Sequence, residues 1–206
     1  MKEIFKTEIN RVAETQFSIR PQLVLALKKS LLTDTARKVT KSTYQNYFDM
    51  WTGSFSDKFF DMGTIIRLGS VIEGCLKQYY MNKKGYTNIL QLRTDPKYKQ
   101  GIFQRIQDPT GGVIKLFIDE LNFDLTIITE LKLIQEAMQH RHLYAHNSGI
   151  IDDDYIAKIL KITGIDLLQN PQILNVYPAQ DVYWFKPLER INEFIEATRR
   201  FFAAFP

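Results

Sequence analysis

Between Phe55 and Tyr80, apolar side chains return every three or four residues: Phe55, Phe59, Met62, Ile65, Ile66, Gly69, Ile72, Leu76, Tyr79 and Tyr80. That period is one face of an α-helix, and an apolar face of this length needs other elements to cover it. The run should stop at Lys83-Lys84-Gly85, where cations meet the negative end of the helix dipole and glycine ends the turn.

Other stretches repeat the pattern. A second helix is predicted from about Phe123 to Asn147, with Asp124 as its cap and Asn147-Ser148-Gly149 as its end. A third begins in Asp152-Asp153-Asp154 and runs through Tyr155, Ile156, Ile159, Leu160 and Ile162 to Gly164. A last one spans Pro187 to Phe202. The first 50 residues also read as helix. Ile4, Phe5, Ile9, Val12 and Phe17 share a stripe, and Pro21 opens a second segment, Leu23 to Leu32. The cations Arg37, Lys38 and Lys41 read as a solvated helix face rather than a nucleic-acid patch. Residues 86–112, with Pro96, Pro109 and Gly111-Gly112, read as a loop-rich connection holding one short helix. Residues 170–186 read as extended, with a short β-hairpin near 173–185. The expected architecture is all-α: an N-terminal helical extension over residues 1–54, then a helical bundle over 55–206.

Composition narrows the function classes. The chain has 206 residues, is 45% hydrophobic and 24% charged, and carries a net charge of +4, ordinary values for a soluble globular protein. The charge permits contact with a polyanion without demanding it. Cys75 stands alone, so an intrachain disulfide and a cysteine zinc site are excluded, which fits a reducing, cytoplasmic setting. The amino terminus alternates charged and apolar residues without the core of a signal peptide, and no apolar run approaches the roughly 18–20 residues that cross a bilayer. No membrane partner is expected.

All three histidines fall within seven residues, His140-Arg141-His142-Leu143-Tyr144-Ala145-His146. Imidazoles are the usual proton carriers near neutral pH, and the guanidinium fork suits phosphate. Ile127, Leu131, Ile134, Met138, Arg141 and Ala145 follow one helix seam, which puts Arg141 on the apolar stripe. An unpaired charge there is costly. Arg141 must therefore meet a carboxylate, Glu73 being the candidate, or a second subunit, or an anionic ligand. His146 lies five residues on, about 140° around the helix. The two converge only if the helix loosens before Asn147 or a second subunit completes the site. His142 and His146 share a face, but without a carboxylate at metalloprotease spacing or a cysteine, no metal site is expected. His140 is placed on the opposite, polar face as a surface histidine.

The spacing Arg141-(four residues)-His146 late in a helix, followed by Asn147, Gly149 and Asp152, resembles the R-x4-6-H signature of the HEPN superfamily. The stretch Arg67 to Lys77, with Glu73 before Leu76-Lys77, is similar to the HEPN helix that often carries a glutamate before such a pair. The resemblance covers about residues 55–204. It implies a bundle of four to five helices that forms a homodimer, with arginine and histidine of both copies facing a shared cleft. It also implies a metal-independent endoribonuclease without cofactor, in a toxin–antitoxin, phage-defence or RNA-processing setting, or else a non-catalytic module that binds RNA, nucleotide or a protein partner. An antitoxin is one such partner. Two departures stand out. Ser148 occupies the position where toxins paired with a nucleotidyltransferase antitoxin carry tyrosine, and His142 follows the arginine where Asn or Asp is usual.

RNA supplies its own nucleophile, the 2′-hydroxyl. In the implied site, His146 is general base or acid at a helix end whose dipole welcomes positive charge. Arg141 holds the scissile phosphate. Asn147 orients the phosphate or the imidazole, Glu73 fixes Arg141 or serves as a second acid–base group, and His142 is the reserve proton carrier. The structural readings stand beside these: Gly149 as a helix terminator, Asp152 as an N-cap, Tyr144 as a packing or surface ring, and Glu73 as a bridge partner.

Overall fold

The computed structural model describes residues 2–19, 21, 22, 25, 56–108, 111–147, 150–170, 176–179, 182–185 and 190–206. Among them are seven α-helices: α1 (Lys2–Glu14), α2 (Ser56–Lys83), α3 (Ile89–Thr94), α4 (Val113–Leu121), α5 (Leu131–Asn147), α6 (Asp153–Thr163) and α7 (Ile191–Ala203). Between α6 and α7, strands β1 (Val176–Ala179) and β2 (Val182–Phe185) pair antiparallel, with Val176 opposite Phe185 and Ala179 opposite Val182. No helix of the described residues is long and apolar enough to cross a membrane.

The longest element, α2, forms the axis of the bundle. Its 28 residues give a rod of about 42 Å, and Ile65, Leu68, Ile72, Leu76, Tyr79 and Tyr80 are buried along it. It ends as the sequence predicts, and Gly85 follows at a φ of 71°, a left-handed angle that side chains other than glycine rarely adopt. On α5, Leu131, Ile134 and Met138 face the core; on α7, Ile191, Phe194, Ile195 and Phe201 do so. Helix α1 packs against α2 and α7, burying Ile9 and Val12 in the same core. It passes into a π-helical turn, Thr15–Ile19, where Gln16 accepts a hydrogen bond from the Thr64 hydroxyl at 2.9 Å. The segment from Leu23 to Leu32, the Arg37–Lys41 cations and the boundary expected at residue 54 lie largely or wholly outside the described residues.

Parts of the helical layout differ from the sequence reading. Helix α5 starts at Leu131 rather than Phe123, because Asp124 caps a separate 3-10 turn, Leu125–Ile127, by accepting from the Thr126 amide at 2.8 Å. Ile127 therefore leaves the seam and is exposed. Helix α4 follows the loop-rich connection and was not anticipated. Its short apolar face, Val113, Ile114 and Phe117, packs beneath an aromatic cluster in which Phe205 meets Tyr79 at 4.8 Å and Phe123 at 5.1 Å between ring centroids.

The connection itself is tied to α2. Asn88 caps α3 by accepting from the Leu90 and Gln91 amides, while Gln91 reaches back to accept from the Asn88 amide. At its far end buried Asp95 accepts from the Tyr80 hydroxyl at 2.6 Å, the Tyr86 hydroxyl at 3.1 Å and the Lys97 amide at 2.8 Å.

Candidate functional site

Helix α5 carries the whole histidine–arginine segment and is enclosed by α2, α6 and α7. That enclosure decides what each side chain meets.

His140 is fully buried, which corrects its expected place on an exposed polar face. The face opposite α2 is not open to water, because α6 and α7 cover it. The His140 ring sits between two elements: Tyr155 of α6 donates its hydroxyl proton to Nδ1 at 2.7 Å, and Nε2–H donates to Glu136 at 3.1 Å. A carboxylate only accepts, so Nε2 must carry the proton and Nδ1 is left to accept from tyrosine. Glu136, also buried, takes a fork from Arg190 at the start of α7, with Nη2 at 3.0 Å from Oε2 and Nη1 on Oε1. Burial pushes the imidazole below the usual histidine range, and the Arg190 charge adds to this against the pull of Glu136. Burial would raise the Glu136 carboxyl, but the His140 hydrogen bond, the His140 charge and the Arg190 charge hold it below its ordinary value. The buried chain Tyr155–His140–Glu136–Arg190 thus stitches three helices together. Sequence reading missed it. The available signal was Glu136 four residues before His140, the i,i+4 spacing that lets two side chains meet on a helix.

Arg141 points the other way, toward α2, as its seam position requires. A Cβ built on Gly69 would lie 2.6 Å from Arg141 Cγ and 2.9 Å from its Cβ, so the arginine stem occupies the space that glycine leaves. The guanidinium ends beside Glu73, with Nη2 at 4.0 Å from Oε2, and both side chains are largely sheltered. Glu73 also faces Lys77 at 3.6 Å. The anticipated Arg141–Glu73 pairing is present, though loose.

His142 and His146 lie on the α6 side of α5. Their ring centroids are 4.5 Å apart with the planes at 49°. They line a recess of about 80 Å³ with Gln139, Asp152, Asp154 and Tyr155. Shelter by the recess wall pushes the His142 pKa down, and the charges of His146, Lys158 and Arg141 add to it, opposed by Asp154. Asp152 accepts from the Tyr155 amide at 2.8 Å and is the N-cap of α6, as expected, while Asp154 is held by Lys158 at 2.6 Å. Among the described residues no three His, Cys, Asp or Glu side chains form a group able to hold a metal ion.

Helix α5 remains α-helical through Asn147. The loosening that would swing His146 toward Arg141 is therefore not seen, and one copy of the chain leaves the two on different faces: Arg141 against α2, His146 against His142. The Asn147 side chain, Ser148 and Gly149 lie outside the described residues. Tyr144 is buried and acts as a packing ring. Cys75 is buried as well, and burial, with the Glu8 charge, pushes its thiol up to about 12, which leaves it inert as a nucleophile.

Comparison with family models, with curated proteins and with solved structures gives no match for this chain.

Proposed function

We propose that the protein is a metal-independent endoribonuclease of HEPN type, acting as a homodimer. The observation that carries the reading is the contact between His142 and His146, 4.5 Å apart between ring centroids, next in sequence to Arg141, whose buried Nε has no hydrogen-bond partner among the described residues. Shelter by the recess and the neighbouring His146 charge hold the His142 imidazole below its usual range, which favours its neutral, proton-accepting form, and His146 beside it is a second group able to carry a proton. That is the equipment for moving a proton on and a proton off.

In the proposed reaction the neutral imidazole of His142 takes the proton from the 2′-hydroxyl. The 2′-oxygen then bonds to phosphorus and the P–O5′ bond breaks. Protonated His146 gives its proton to the departing 5′-oxygen. The products are a 2′,3′-cyclic phosphate and a 5′-hydroxyl, with no metal and no water consumed in the step. Arg141 neutralises the charge that gathers on the non-bridging oxygens. Because Arg141 and His146 diverge within one chain, a second copy supplies the missing half across a shared cleft. The resemblance in the 141–152 and 67–77 segments supports the same reading.

The test uses purified protein, chelator and end-labelled RNA. Wild type should release cyclic-phosphate ends, and His146→Ala or Arg141→Ala should lower the rate by about 100-fold or more, the size of a lost acid–base or oxyanion group. Helix content and the dimer mass should persist. RNA left intact by wild type, or cut equally by the variants, sinks the proposal. One observation favours a second reading, a non-catalytic binding module: Arg141 already faces a carboxylate, Glu73, within its own chain.

A further inference from the structure

Helix α5 contributes to two arginine–glutamate pairs, and they are built differently. Glu136 and Arg190 close into a fork with two hydrogen bonds. Arg141 and Glu73 do not close: their nearest atoms are 4.0 Å apart, beyond the roughly 2.7–2.9 Å of a charge-assisted hydrogen bond. Arg141 Nε is buried and has no hydrogen-bond partner among the described residues. On its other side the Glu73 carboxylate stands 3.6 Å from Lys77, again without a hydrogen bond. One carboxylate thus lies between two cations and satisfies neither. A buried guanidinium N–H without an acceptor is costly unless something else completes it.

We infer that Arg141, Glu73 and Lys77 form a gated site for a phosphate oxyanion, in which Glu73 is a displaceable counter-ion and Lys77 a second phosphate-binding cation. The inference rests on the phosphate role proposed above for Arg141 and deepens it. A tetrahedral phosphate brings oxygens that can accept from Arg141 and Lys77 at once, which the Glu73 carboxylate does not manage from its position on α2. The site carries two positive charges against one negative, so an incoming phosphate meets a net attraction but must first displace Glu73. Between binding events Glu73 stays beside the guanidinium as its counter-charge. In the sequence Lys77 enters only as part of the Leu76-Lys77 pair, with no role of its own, because a lysine four residues after a glutamate is also an ordinary helix-surface pair.

The test measures binding by calorimetry at fixed ionic strength with the full-length chain. One arm uses inorganic phosphate. The other uses a 2′-O-methyl RNA oligonucleotide, which lacks the nucleophile and cannot be cut. Glu73→Gln should bind both at least about fivefold more tightly than wild type, the lower end of ordinary coupling between sites. Lys77→Met should weaken both. Glu73→Asp, which draws the carboxylate back from Arg141 while keeping its charge, should shift affinity in the same direction as Glu73→Gln by less, and serves if Glu73→Gln does not fold. Unchanged or weaker binding by the Glu73 variants overturns the inference and leaves Glu73 a structural brace. Tighter binding of inorganic phosphate alone upholds the gated site while removing the RNA backbone as its ligand. Because neither arm requires cleavage, an inactive protein with the expected affinities upholds the gate and defeats only the ribonuclease reading.

Discussion

Gly69 and Arg141 share one volume: a Cβ on the glycine would fall 2.6 Å from the arginine Cγ. The atoms in the way belong to the root of the arginine side chain, which cannot swing aside as its tip could. Gly69→Ala therefore forces α2 and α5 apart or rotates Arg141 off its position. An alanine in a helix interior normally gains about 1 kcal/mol over glycine, whereas overpacking costs about 1–3 kcal/mol. The expected outcome is a net loss of stability in urea denaturation, together with reduced phosphate affinity. A gain in stability would show that the helices yield freely at this crossing.

Breaking the buried chain at Glu136 should be far more costly than breaking it at its end. Glu136→Gln removes the charged half of the fork and leaves Arg190 only its exposed partner Glu193, a loss of about 3 kcal/mol. Tyr155→Phe removes one hydrogen bond to His140, a loss of about 1–2 kcal/mol. Denaturation midpoints of the two variants check the order, and equal losses would mean that the fork contributes little.

The same chain makes the fold acid-sensitive in two stages. The folded pKa of His140 lies below its ordinary value of 6.5, so the unfolded chain takes up a proton first as pH falls past 6.5, and stability declines from there. The Glu136 carboxyl is also held below its ordinary 4.5, so its contribution is complete above that value and is lost as pH falls through the lower folded pKa. Stability measured from pH 7.5 to 3.5 should fall in both windows. Replacing His140 with Gln should flatten the upper window, apart from a smaller share from His142, whose pKa is also lowered. An upper window unchanged in that variant would assign the decline to other groups.

The His142 midpoint should respond to the removal of His146. The His146 charge is among the causes that lower the His142 pKa, so His146→Ala should raise the His142 midpoint while leaving it subject to the shelter of the recess. A ring-proton NMR titration reads this directly and needs no substrate. An unmoved midpoint would mean that the rings in solution do not keep their 4.5 Å contact.

The periodic parts of the fold were legible in the sequence, because a long apolar stripe such as Ile65–Leu68–Ile72–Leu76 has one way to be buried. The caps at Asp152 and Gly85 were legible for a similar reason: each is a local transaction between a side chain or a φ angle and its own backbone. The failures share a different cause. Helix periodicity states which face a residue occupies, not how many neighbours surround the helix, and so it places His140 in water. Asp124 looks like the cap of a long helix because the same hydrogen bond also caps a single 3-10 turn. In the candidate site, the Arg141–Glu73 pairing followed from the charge on the seam, but its looseness and the role of Gly69 depend on where two helices cross. No local pattern encodes that crossing.

The Asp95 hub has a practical consequence for anyone handling this chain. Surface loops ordinarily accept insertions, since few contacts cross them. Here three donors converge on one buried carboxylate at the foot of α3, two of them tyrosines from α2 and the turn after it. A peptide tag or fluorophore spliced in beside Pro96 would have to open that cluster and uncover the Tyr80 ring beneath it. The stretch that looks most loop-like in the sequence is thus a poor place to graft.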